Sequence, residues 1–490
     1  MLFKFDNTYT SLPKEFYRKV SPSKVPEPKL IKLNENLTEE LGLDKKYLNS
    51  QNGVDSLSGN LIPHGADPLA MAYAGHQFGT WVPELGDGRA LLLGEIISPD
   101  GIRYDIQLKG SGPTPFSRSG DGKAVLGPIL REYLISESMH ALGVPTTRAL
   151  SAILTGETII REFPMPGAML TRVAKSHVRI GTFEYFFARD YRNHVQCLAD
   201  YIIKRHYPEA LESKNPYNQF LYLVMKTQAE LVTKWMLCGF IHGVMNTDNM
   251  QIVGETIDYG PCAFLDTYDP KKVYSSIDHG GRYSFGNQPI IAQWNLSCFA
   301  QTILFLLDQS KESAYKKAKE IINIFPSIYQ KKLNSGILQK LGLSKEMEKD
   351  MELVKDLLRI MEDGKADFTL TFRRLCEVSS TSSEHDGPVR FLFDAPEIFD
   401  KWAKRWRKRL LLENKTEQER KRKMEAINPA FIPRNHLVEK AIQNALNQDF
   451  ELFEIILNLS TRPFQTQPDY KKFMEPPLPD QEIHQTFCGT

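Results

Sequence analysis

Residues 240–260, FIHGVMNTDNMQIVGETIDYG, constrain the fold of this chain more than any other segment. They set His242, Asp248, Asn249 and Asp258 within 17 positions. Residues 250–253 between them are apolar apart from Gln251. A short apolar run between two acidic turns predicts a short strand, or a hairpin with Gly254 and Glu255 at its tip. A hairpin returns Asp258 close to Asn249. One carboxylate and one amide then face a common point, with the Asp248 carboxylate beside them. An oxygen cage of that kind suits a hard divalent cation carrying nucleotide phosphates. The plainer reading of Asp248 is a turn aspartate capping its own backbone. The plainer reading of His242 is a residue that packs or bonds to the loop.

A second set of candidates lies upstream. In residues 104–109, YDIQLK, alternation puts Ile106 and Leu108 on one face and Asp105, Gln107 and Lys109 on the other. Lys109 is either a phosphate-contacting lysine or a surface residue at a strand end. Residues 128–142, PILREYLISESMHAL, carry helical periodicity and stop before Gly143, a C-cap signal. Glu132 sits on this helix 23 positions after Lys109, and an ion pair between them would hold the lysine for phosphate contact. Glu137 competes for that role, but Glu132 is nearer the helix start and is preferred.

Gly86-Asp87-Gly88-Arg89 forms a turn leading into a strand over residues 89–97. Its glycines allow backbone N–H groups to approach phosphates, and Arg89 suits bidentate phosphate contact. A plain hairpin turn has the same signature. Asp121-Gly122, in the second glycine-rich loop GSGPTPFSRSGDGKAVLG, reads from the residues alone as a turn. Arg172 and Arg179 lie seven apart in LTRVAKSHVRIG. That is about two helical turns, so a shared helical face is expected, with Lys175 and His177 adding positive charge. The face is a polyphosphate clamp or a solvated basic surface. Trp402 and Trp406 stand four apart in KWAKRWRKRLLLENKTEQERKRK, with eleven basic residues against three glutamates. Docking of acidic partners or RNA is one reading. A solvated helix covering an apolar seam is the preferred one.

Composition narrows the class. The 490 residues are 41% hydrophobic with a net charge of +1, as in an ordinary globular protein and unlike a dedicated nucleic-acid binder. No apolar run approaches the roughly 18 residues that span a bilayer. The opening MLFKFDNTYTSLPKEF has neither the apolar core of a signal peptide nor an Arg-rich amphipathic pattern, so a cytoplasmic location without membrane attachment is expected. Six scattered cysteines show no metal spacing and no close pairs, which fits a reducing compartment and argues against a structural zinc site.

Four regions follow along the chain. Residues 1–60 are polar and loop-rich, an N-terminal extension. Residues 61–168 hold strand-like runs and one helix, with separate strands expected over ALSAILTGE and TIIREF. Residues 169–395 are mainly helical and contain the acidic loops. Residues 396–490 hold further helices and a Pro-rich tail.

The order of groups resembles that of protein kinases: an Asp that handles a hydroxyl, an Asn for metal, then Asp-aromatic-Gly, here Asp258-Tyr259-Gly260. Nearly the whole chain resembles the selenoprotein O / YdiU family of kinase-like protein adenylyltransferases. The resemblance rests on AYAGHQFGTWVPELGDGRALLLGE, QLKGSGPTPFSRSGDGKAVLGPILREYLISE, HGVMNTDNMQIVGETIDYGP and DHGGRYSFGNQP. It implies an α+β, protein-kinase-like two-lobed fold, with a mixed small lobe, a mainly helical large lobe and extra terminal helical segments. It also implies transfer of AMP from ATP to Ser, Thr or Tyr of target proteins, with release of pyrophosphate, Mg²⁺ or Mn²⁺ as cofactor, and UMP from UTP in some members.

By motif, Lys109 and Glu132 match the family's ion pair and Asp248 its proton acceptor. Asn249 and Asp258 match its metal ligands. Gly86, Gly88, Arg89, Asp121, Gly122, Arg172 and Arg179 match nucleotide-contacting positions. Cys488 matches a cysteine near the C-terminus that relatives bridge to one in a loop; here Cys262 is the nearby candidate, so Cys488 pairs with Cys262 or stays free. A γ-phosphate protein kinase and a non-catalytic nucleotide-binding scaffold are the alternatives, and a monomer is the favoured assembly.

Overall fold

The computed structural model describes residues 3–487; Cys488 lies outside the described residues. Twelve strands are present among them: β1 (Tyr17–Lys19), β2 (Lys29–Leu33), β3 (Leu69–Met71), β4 (Gly75–Gln77), β5 (Thr80–Val82), β6 (Ala90–Ile97), β7 (Arg103–Lys109), β8 (Ala124–Val125), β9 (Arg148–Ile160), β10 (Pro164–Ala174), β11 (Phe240–Ile241) and β12 (Ala263–Phe264). Eight of them make one sheet in the order β1-β3-β6-β7-β10-β9-β2, with β8 on β10. Every pair in it is antiparallel. The N-terminal residues thus supply two of its strands, β1 and β2. Two small ribbons, β4–β5 and β11–β12, stand apart from it.

The alternation in β7 is realised. Ile106 and Leu108 join Leu37, Leu48, Leu57, Ile153 and Met169 in a core on one face of the sheet. The other face receives the helix Leu126–Ala141, whose Ile129, Leu130, Tyr133 and Leu134 are buried. That helix stops where the sequence places its end: Gly143 has φ +75°, the left-handed conformation that glycine adopts most cheaply at a helix C-terminus. One expected break is absent. Residues 149–160 continue as a single strand, β9, rather than two. Gly156, at φ +78°, is accommodated as an irregularity of the β9–β10 ladder.

Beyond residue 180 the structure is mainly helical. The helices Asn435–Leu446 and Glu451–Ser460 fold back onto the 126–141 helix, where Arg131 pairs with Glu439 and the Tyr133 and Phe453 rings lie 6.0 Å apart. Trp402 and Trp406 form the apolar seam of the helix Pro396–Leu410. Their rings stack at 5.6 Å, and their indole N–H groups donate to the Leu353 and Leu341 carbonyls. No helix among the described residues is long and apolar enough to cross a membrane.

Candidate active site

β7 and β10 are neighbours, with Lys109 opposite Leu170 and Gln107 opposite Arg172. Both long side chains project under the 126–141 helix, and Glu132 comes down from that helix between them. Lys109 Nζ donates to Glu132 Oε2. Arg172 Nε and Nη2 donate to Glu132 Oε1 at 2.8 and 2.5 Å. Glu132 is 2% exposed, so these pairs are shielded from solvent and salt. Glu137, the competitor, binds Arg148 instead.

Asp258 closes the network. Its Oδ1 accepts from Arg172 Nη2 at 2.8 Å and from Lys109 Nζ at 3.4 Å, and its Oδ2 accepts from Arg179 Nη1 at 2.8 Å. Burial alone would raise the Asp258 carboxyl, but Arg172, Arg179 and Lys109 together hold it well below the usual carboxylate range. Glu132 follows the same logic: burial opposes its charge, and Arg172 and Lys109 prevail. Asp258 also has φ +63°, a left-handed conformation costing a non-glycine residue on the order of 1–3 kcal/mol. Three cations converging on its carboxylate hold it there.

The guanidinium of Arg179 reaches the second acidic position as well. The same Nη1 donates to the Asp248 carbonyl at 2.6 Å. Asp248 sits in the 3₁₀ turn Thr247–Asn249. Its Oδ2 accepts from Gln77 Nε2 at 3.1 Å, and its Oδ1 is buried without a partner among the described residues. Burial, reinforced by the Asp258 charge, pushes the Asp248 carboxyl up to about 6 against the pull of Gln77 and Arg179. Asn249 donates its Nδ2 to the Val244 carbonyl at 2.9 Å; its amide oxygen has no bond among the described residues. His242 is a loop-holding residue, with Nε2 2.9 Å from the Ile257 carbonyl and its ring 5.5 Å from Trp235. Burial pushes its imidazole down, towards the neutral form.

Three local expectations need correction. Residues 250–255 form neither a regular strand nor a hairpin tipped at Gly254-Glu255. Gln251 bridges Arg179 and Thr256 bridges Thr146, while Gly254 N–H closes a turn on the Gln251 carbonyl. The segment finds its backbone partners in other parts of the chain, so it never pairs with itself. Secondly, Arg172 and Arg179 share no helix. Arg172 belongs to β10, and Arg179 immediately precedes the helix Ile180–Phe187. They meet at Asp258 because the chain turns between them. Thirdly, His177 does not join a basic face: it is buried against Asp105 at 3.1 Å, and burial shifts its imidazole down, towards the neutral form.

The two glycine-rich loops pack on each other. Gly86, at φ +73°, lies against the Phe116 ring, where a β-carbon would come within 2.3 Å of it. Thr114 Oγ1 donates to the Asp87 carbonyl at 2.7 Å, and Ser117 Oγ to that of Gly88. Arg89, half-buried, leads into β6. The Gly122 carbonyl accepts from Gly112 N–H at 3.0 Å. Asp121 makes two bonds to Arg161, at 2.8 and 3.0 Å, and among the described residues none to the Lys109–Asp258 network.

Two participants escaped the sequence reading. Asp87 is buried 3.9 Å from Arg179 Nη2, hidden in a turn read for its glycines. Gln77, the only side chain bonded to the Asp248 carboxylate among the described residues, sits on β4 with no spacing to mark it.

Comparison with known proteins adds an independent finding. A family described as "Protein adenylyltransferase SelO" matches residues 1–461. Proteins called "Protein nucleotidyltransferase YdiU" from Bradyrhizobium diazoefficiens, Rhodopseudomonas palustris (strain BisB5) and Rhizobium meliloti are each 53% identical over 489 residues, covering 100% of this chain and 99% of theirs.

Proposed function

This chain belongs to the protein adenylyltransferase SelO family, and on that premise we propose that it transfers AMP from ATP to Ser, Thr or Tyr hydroxyls of target proteins, releasing pyrophosphate. The observation that carries this reading is the convergence of Lys109, Arg172 and Arg179 on the Asp258 carboxylate next to Asp248. Three cations from separate segments offer polyphosphate oxygens a preorganised set of donors. We read the antiparallel sheet with its 126–141 helix as the smaller lobe of a kinase-like arrangement, and the helices beyond residue 180 as the larger.

A divalent cation fits the donor set. The Asp248 turn offers only hard oxygen ligands, and two of these, the buried Asp248 Oδ1 and the Asn249 amide oxygen, make no hydrogen bond among the described residues. Asn249 and Asp258 would hold Mg²⁺ or Mn²⁺, which when bound neutralises phosphate charge. Lys109, buttressed by Glu132, and the two arginines bind the remaining phosphate oxygens. The glycine turns at Gly86, Gly88 and Gly122, with Arg89 and Asp121, are assigned to the nucleotide's flank.

Asp248 is the proton acceptor. The acceptor hydroxyl oxygen forms a bond to the α-phosphorus, and its proton passes to the Asp248 carboxylate. The bond from the α-phosphorus to the bridging oxygen breaks, and pyrophosphate leaves with that electron pair. A carboxyl near 6 is ionised at neutral pH yet basic enough to take the proton. The proposed contacts are to phosphate oxygens rather than to the base, so UMP transfer from UTP is proposed as a secondary activity.

A γ-phosphate kinase would use the same residue types. Incubation with ATP labelled at the α or the γ position, followed by intact mass of the protein and candidate targets, separates the two. Retained α label with the added mass of AMP is expected; retention of γ label alone overturns the proposal.

A further inference from the structure

A separate cluster lies behind the Asp248 turn. His76, Glu184 and Cys298 bring a ring nitrogen, a carboxylate oxygen and a sulfur within 4.8 Å of one another. They come from β4, from the helix Ile180–Phe187 and from the helix Gln288–Thr302, so tertiary packing alone assembles them. Glu184 has a side chain only 4% exposed. Its Oε1 lies 2.7 Å from His76 Nδ1 and the Thr247 hydroxyl is a second polar neighbour of the carboxylate, while its Oε2 is buried with no hydrogen-bond partner among the described residues. Buried carboxylate oxygens are rarely left in that condition. Two indoles wall the site, with the Trp81 and Trp294 rings 5.0 and 5.4 Å from the imidazole. Cys298 is half-buried, and a groove of about 660 Å³ runs past Trp294 and Ser297 on the same helix.

We propose that His76, Glu184 and Cys298 bind a zinc-class divalent ion at a site separate from the Asn249–Asp258 pair. One sulfur, one imidazole and one carboxylate form the mixed donor set that favours Zn²⁺ over the hard Mg²⁺. Three protein ligands leave the fourth tetrahedral position to water. Ligand atoms around one zinc stand about 3–4 Å apart, given metal–ligand distances of about 2.0–2.3 Å, so side-chain rotation closes the cluster. On binding, the Cys298 thiol releases its proton to solvent and its sulfur coordinates as thiolate. The ion supplies a partner for the buried Glu184 Oε2.

The site bears on the neighbouring turn through the backbone. His76 N–H donates to Thr247 Oγ1 at 2.7 Å, and Gly75 packs so closely that a β-carbon there would come within 2.7 Å of Asp248 Oδ1. An occupied site therefore fixes β4 against the turn carrying Asp248. This inference does not depend on the nucleotide chemistry proposed above.

The test is titration of the full-length, chelator-treated protein with Zn²⁺ alone against a chromophoric chelator, followed by Co²⁺ substitution. One tight equivalent is expected, with a thiolate-to-cobalt charge-transfer band. Cys298→Ser and His76→Ala should each weaken Zn²⁺ binding more than about tenfold, and Cys298→Ser should abolish the band. Asn249→Ala should leave the stoichiometry at one. Wild-type protein that takes up no tight equivalent, a cobalt spectrum lacking the sulfur band, or Zn²⁺ affinity unchanged in both ligand variants would each overturn the assignment. The cobalt spectrum of the wild type decides the matter even if a variant does not fold.

Discussion

Replacing Asp248 by Asn should abolish activity and stabilise the protein, and both effects follow from one environment. Asp248 is buried, one of its oxygens has no donor among the described residues, and its carboxyl is displaced from the usual aspartate value to about 6. At about 1.36 kcal/mol per tenfold change, that displacement makes the ionised folded form about 3 kcal/mol less favourable than an unperturbed aspartate. Loss of the charged acceptor for Gln77 offsets about 1 kcal/mol of it. A net gain of about 1–2 kcal/mol is left for Asp248→Asn at pH 8.

The sign depends on pH. A carboxyl whose folded-state value lies above its unfolded value contributes stability at low pH and loses it as pH rises through the folded value. The advantage of the variant should therefore be present at pH 8 and vanish near pH 4, where the wild-type group is protonated. Urea unfolding followed by tryptophan fluorescence at both pH values measures this. In parallel, AMP transfer followed by intact mass should drop about 10²–10⁴-fold, the usual contribution of a general base, and the wild-type rate should fall as pH drops through about 6. A variant no more stable than wild type at pH 8, or one that transfers AMP at the wild-type rate, would refute this account of the base.

Glu132→Gln removes the anion shared by Lys109 and Arg172. Leaving buried cations undercompensated costs about 3–5 kcal/mol, so the urea midpoint should fall sharply together with AMP transfer; an unshifted midpoint would show that the pair is dispensable. The tail offers a further test. Thr486 Oγ1 donates to the Pro261 carbonyl at 2.7 Å, one residue before Cys262, and the pairing of Cys262 with Cys488 is tested in solution. Thiol counting after mild oxidation should find two fewer thiols than after reduction, and free thiols at both positions in the oxidised protein would dismiss the pairing.

The legible parts of this protein are those governed by local rules. The β7 alternation follows from a period of two, and the end of the 126–141 helix from Gly143. Glu132 was separable from Glu137 because both lie on one predictable helix and only one is near its start. The Trp402–Trp406 seam followed from their spacing and from the general behaviour of long basic side chains. Failures occurred where a segment takes its partners from elsewhere. Residues 250–256 have a strand-like composition but bridge residues 146 and 179. A spacing of seven placed Arg172 and Arg179 on a helix, whereas β10 continues through Arg172 because β7 and β9 flank it.

By itself the sequence determined which groups are candidates for the proposed chemistry, because Lys109, Glu132, Asp248, Asn249 and Asp258 lie in motifs whose residue types and order are readable along one dimension. Only the tertiary structure decided their electrical state. Asp258 is held ionised by cations from three segments, while Asp248 is lifted to about 6 by burial. Gln77 and the His76–Glu184–Cys298 cluster likewise exist only through packing. Charge–charge energy and desolvation depend on distances and burial in space, and a linear chain specifies those only once it has folded.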